Sequence, residues 1–145
     1  MKKFLVMAAL MVATLSVSAQ DYDWAVGVRG GLGGFGISAK KNLDKNAVEG
    51  TVFFNSGYFG IEGDYLWQKP VISEDFHLYY GAGANVRLGS GYFGVTAMGV
   101  VGLEYRIPIN FPLAVSLDYR PGVGVSSAGL FPVYTSFNLG IKYCF

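Results

Sequence analysis

TSFNLGIKYCF, running from Thr135 to Phe145, alternates without a break. Phe137, Leu139, Ile141, Tyr143 and Phe145 are apolar, and Ser136, Asn138, Gly140, Lys142 and Cys144 stand between them. A side-chain period of two belongs to a β-strand with two unlike faces. Chain ends fray unless something ties them down. A terminal strand this apolar must therefore be paired along both edges and face an apolar medium. The stretch reads as the closing strand of a small β-barrel set in lipid.

Composition points the same way. Of 145 residues, 52% are apolar, 16% aromatic and 14% charged. A soluble domain carries about 25% charged residues, so much of this surface is expected to face away from water. The length suits one domain. Net charge is +1, and no basic patch suggests nucleic acid. Residues 1–19 read as a cleaved signal peptide. Lys2 and Lys3 precede an apolar run from Phe4 to Leu15, and Val17-Ser18-Ala19 supplies small residues before the cut. That run is shorter than the ~20 residues of a spanning helix. Residues 20–145 are then the barrel domain. Cys144 is the sole cysteine, so no internal disulfide is expected, and it reads as a small strand side chain.

Working back from Thr135, the same alternation recurs seven times. Strands are expected at Trp24 to Gly30, Phe35 to Asn42, Asn46 to Asn55, Tyr58 to Gln68, Phe76 to Leu88, Tyr92 to Ile107 and Leu113 to Val125. Gly31 to Gly34, Leu43 to Lys45, Asn55-Ser56-Gly57, Gly89-Ser90-Gly91 and Pro108 to Pro112 read as turns. Lys69 to Asp75, with Pro70, reads as a polar connection, and Ser126 to Tyr134 as the last loop. The expected fold is all-β, an eight-stranded antiparallel up-and-down transmembrane β-barrel. Strands of about ten residues cross a bilayer at a tilt. Closure removes the edges that lipid cannot satisfy.

Alternation alone does not say which face is inside. An apolar interior would make a lipocalin-like binding barrel. Bulk argues for the apolar face outward, because eight strands leave an interior that side chains fill. Aromatic placement argues likewise. With the N-terminus in the periplasm, Trp24, Tyr65, Trp67 and Tyr105 fall toward one end and Phe35, Phe54, Phe59 and Phe93 toward the other, as two girdles around an apolar band. The polar face carries Arg29, Lys40, Arg87, Arg106, Arg120 and Lys142 against Glu49, Glu62, Asp64, Glu104 and Asp118. That near-neutral set can pair inside a narrow lumen, where a lone charge is costly.

Tempting chemical motifs have plainer explanations. Gly31-Leu32-Gly33-Gly34-Phe35-Gly36 matches G-x-G-x-x-G, but a dinucleotide site needs it to open a helix, and here it joins two strands. His77 is the sole histidine. A lipase would need it beside a serine and an orienting acid; Ser73 and Glu74 are near in sequence, on the Lys69–Asp75 connection. One histidine and one cysteine are too few for zinc. No cofactor, metal or catalytic residue is expected.

Signal peptide, eight alternating strands and terminal Phe145 together resemble the small outer-membrane β-barrel proteins of Gram-negative bacteria, the OmpX, OmpA-domain and opacity-protein group. Within it, GLEYRIPINFPLAVSLDYRP (Gly102 to Pro121) is similar to the sixth-to-seventh-strand hairpin of Bacteroidetes barrels. The resemblance implies export by the general secretory pathway and insertion by the barrel-assembly machinery, with Ile141, Tyr143 and Phe145 as the C-terminal assembly signal. It also implies residence among outer-membrane lipids as a monomer. The expected role is non-enzymatic, structural or interaction-mediating. A periplasmic lipocalin-like barrel and a small outer-membrane lipid-modifying enzyme are the alternatives.

Overall fold

The computed structural model describes residues 22–145 apart from 33, 44, 72, 108–111 and 135. The leader expected at 1–19, Gly33 and most of the turn at 108–112 lie outside the described residues.

Ten strand segments are formed by the described residues. They are β1 (Trp24–Gly31), β2 (Gly34–Asn42), β3 (Asn46–Asn55), β4 (Tyr58–Val71), β5 (Ser73–Gly89), β6 (Tyr92–Arg106), β7 (Leu113–Tyr119), β8 (Gly122–Ser126), β9 (Gly129–Val133) and β10 (Phe137–Cys144). Segments β7 and β8 both pair with β6 and are one barrel strand interrupted at Arg120-Pro121. Segments β9 and β10 follow each other likewise, so eight antiparallel strands run up and down. The ring closes because β1 pairs with β10 and β5 with β6.

Chain chemistry accounts for the turns. Ser56-Gly57 and Ser90-Gly91 are two-residue hairpins, and Gly57 (φ 92°) and Gly91 (φ 70°) occupy the left-handed region that such turns demand. Two expected connections are strand instead. Residues 69–75 belong largely to β4 and β5, which pair as far as Val71↔Ser73 with a register shift between Pro70 and Val71. That irregularity accommodates the proline, which cannot donate to the ladder. Within the expected loop 126–134, β9 pairs with β8 from Gly122↔Val133 to Ser126↔Gly129. Among the described residues β9 pairs with no other strand, and it carries Pro132, as edge strands do.

Register fixes the barrel's geometry. Following partners from Phe76 leads through Tyr105, Val115, Ile141, Val28, Ile37, Val52 and Ile61 back to β5 at Val86. The circuit returns ten residues further along β5, since 86 minus 76 is 10. Ten residues over eight strands corresponds to a strand tilt of about 40°. Each residue along a strand then rises about 2.5 Å along the axis, and each step to the next strand about 3 Å. The end bearing Trp24 is termed the lower end.

The two faces of the wall are opposite in kind. Ile37, Val52, Ile61, Val101, Leu117 and Leu139 are exposed on the outside. Charged residues, with Ser38, Thr51, Asn85 and Thr96, are buried inside. Two small apolar clusters share the interior: Tyr22, Ala25, Ala114 and Cys144 at the bottom, and Ala47, Leu66, Tyr79, Met98 and Val100 above them.

Candidate functional site

The barrel interior holds the molecule's concentration of ionisable groups. Alternation sends every second side chain inward, and closure brings partners together from strands distant in sequence.

At the bottom Glu104 of β6 is the hub. It accepts hydrogen bonds from Lys40 Nζ at 3.0 Å and from Arg106 Nε at 3.0 Å. Tyr22, just before β1, turns up into the barrel and donates its hydroxyl to Glu104 at 2.7 Å. The Tyr22 carbonyl accepts from Asn42 Nδ2 at 2.7 Å, and the Arg106 guanidinium lies 4.5 Å from the Tyr22 ring. The ring, 3% exposed, plugs the lower end. Burial, and then Glu104, push the Tyr22 phenol well above its ordinary pKa, so it stays protonated and donates.

At mid-height Arg120 and Arg29 gather the acids. Arg120 Nη1 donates to Glu62 at 2.7 Å and Asp64 at 2.6 Å, and its Nε to Asp118 at 2.9 Å. Arg29 pairs with Glu62, and its Nη1 stands 3.8 Å from both Glu49 and Asp64. Lys142 donates to Glu49 at 2.7 Å. The Tyr79 hydroxyl adds a bond to Asp118 at 2.8 Å. Desolvating such charges costs several kcal/mol per ion, and only dense pairing offsets it.

Higher up, about 15 Å above the level of Val28 on the estimated axial rise, Arg87 differs. No carboxylate lies within ion-pair distance of it among the described residues. Its guanidinium instead sits 5.8 Å from the Phe53 ring and 5.7 Å from the Tyr58 ring. Below it is a cavity of about 30 Å³ lined by Arg29, Phe53, Glu62, Asn85, Arg87, Thr96 and Arg120, among others.

Ten of the eleven lumen charges expected from sequence thus meet in two clusters, and Arg87 stands apart. Of the residues expected as girdles, Trp24, Phe35, Phe54, Phe59, Tyr65, Trp67 and Phe93 are exposed on the outer face and Tyr105 is half-exposed there. Ile141 and Tyr143 also point outward, and the Phe145 backbone bonds that of Trp24 at the seam. His77 lies at the lower end of β5 opposite Glu104. Sequence reasoning missed Tyr22, whose partner is 82 residues away, and Phe53, buried next to exposed Phe54. A signal for Phe53 does exist. Its cross-strand neighbours Gly36 and Gly60 leave room for a ring, and a Cβ on Gly60 would strike it.

The interior offers dense ion pairing, a tyrosine plug and a small polar cavity. No family model, curated protein or solved structure matches the chain.

Proposed function

We propose that this protein is an integral outer-membrane β-barrel, non-enzymatic, with a structural or interaction-mediating role and a lumen closed by paired charges. The observation that carries the reading is the inversion of the wall, with bulky apolar side chains exposed and charges buried. In water such a surface would aggregate; in lipid it is the stable arrangement.

Axial positions support it. By register and tilt, Trp24, Phe76, Tyr105 and Tyr143 lie about 8–12 Å below Val28, and Phe35, Phe54 and Phe59 about 8–14 Å above it. Between them come Val26, Ala39, Gly50, Val101, Leu117 and Leu139, with Tyr65 near mid-height. The spacing is comparable to the ~25 Å apolar band of outer-membrane barrels. Partners on this reading are outer-membrane lipids and, during insertion, the barrel-assembly machinery. The lipocalin-like alternative loses its motive, because the apolar face that would line a calyx is outside.

Membrane fractionation and gel mobility test the proposal. The protein should sediment with outer membranes and migrate differently before and after boiling. Recovery in the soluble periplasm, with one mobility throughout, would refute it. Val101→Arg, near mid-height, should cost about 2–4 kcal/mol in bilayers, and equivalent changes near the rims much less. An unchanged lipid profile on His77→Ala is the outcome expected for a non-enzymatic role.

A further inference from the structure

We infer that the upper half of the barrel interior is a binding site for one small oxyanion, a carboxylate or phosphate group, held by Arg87. Arg87 is the lumen cation without a carboxylate in reach among the described residues, and its Nε is buried with no hydrogen-bond partner. Its cross-strand neighbours on both sides are glycines, Gly60 and Gly94, and the room they leave is taken by the uncharged rings of Phe53 and Tyr92.

The cavity beneath Arg87 fits one such group. A volume of about 30 Å³ exceeds the ~10–15 Å³ that a single water needs. Thr96, 1% exposed, lines the cavity with a hydroxyl that has no partner and can donate. Arg29 and Arg120 lie on the floor. Glu62, also on the floor, would repel an anion, but both of those arginines already pair with it. Phe53 and Tyr58 flank the guanidinium, and Tyr92, whose ring is 6.2 Å from that of Tyr58, stands at the mouth. An arginine held by aromatic rings keeps its planar fork preorganised for a carboxylate or phosphate. Such a group can arrive free or as the tip of a larger molecule whose body rests on Tyr58 and Tyr92.

Refolded protein in detergent tests this independently of cellular location, once a heat-modifiable band shows that each variant is folded. Acetate, inorganic phosphate, benzoate and phenyl phosphate are titrated at constant ionic strength, with the thermal midpoint as readout. Saturable stabilisation is expected from at least one of them, weakened tenfold or more in Arg87→Gln. Thr51→Val removes a buried hydroxyl outside the cavity and should leave binding intact. Equal affinity for acetate and benzoate assigns the site to a free ion; tenfold tighter binding of the phenyl compounds assigns it to a tethered group. Absence of saturation with all four probes, or equal binding by Arg87→Gln, overturns the inference.

Discussion

The two ends of the barrel interior solve the same electrostatic problem differently. At the lower end Glu104 is surrounded by Lys40, Arg106 and the Tyr22 hydroxyl. At the upper end Arg87 has aromatic faces and a small cavity instead. The difference follows from burial. Glu104, 1% exposed behind the Tyr22 ring, has no water to fall back on and must be paired. A charge near a mouth keeps part of its hydration, and cation–π contacts suffice. Buried charge thus does two kinds of work here, sealing below and standing open above.

The sharpest break of that contrast is Glu104→Ala. It leaves Lys40 and Arg106 buried beside each other without their shared acid, a loss of about 3–5 kcal/mol, read as a lower urea midpoint of the refolded barrel. A variant that unfolds with the wild type would place the lower cluster in water. Next comes Tyr22→Phe, which keeps the plug but removes a hydrogen bond to a charged acceptor. A cost of about 2 kcal/mol is expected in the same assay.

That difference should depend on pH. The Tyr22 phenol titrates higher in the folded barrel than in the unfolded chain. Its contribution is therefore whole below about pH 10, the unfolded value, and is lost as pH rises further. Wild type and Tyr22→Phe should converge in stability above about pH 10; a constant gap would mean that the hydroxyl is not buried. The smallest effect belongs to Arg87→Gln, which forfeits only two ring contacts and should cost under about 1 kcal/mol. A loss as large as that of Glu104→Ala would show the two ends to be equally committed to stability.

Much of this architecture was legible in the chain. Residues such as Val52 and Ile61, set against Thr51 and Glu62, declare their faces because strand period is local. What escaped was long-range or disguised. Pro70 and its polar neighbours look like a turn, yet a register shift lets β4 and β5 run on past them. Gly129 and Pro132 hide β9, whose pairing needs only one edge. No local pattern joins Tyr22 to Glu104, because their contact exists only once the ring is closed. Arg87 reads like any other lumen charge until the described acids are placed around it.

The seam between β1 and β10 carries a consequence for time. Its pairs, from Ala25↔Cys144 to Gly31↔Asn138, join the first and last strands of the barrel. Each hairpin closes only a short loop, but the seam must await the last strand of the barrel and bear the entropy of closing the longest one. Tyr22 has no finished lower end to plug before then. Assembly is therefore expected to end in one slow closing step, with the tyrosine entering as the ring shuts.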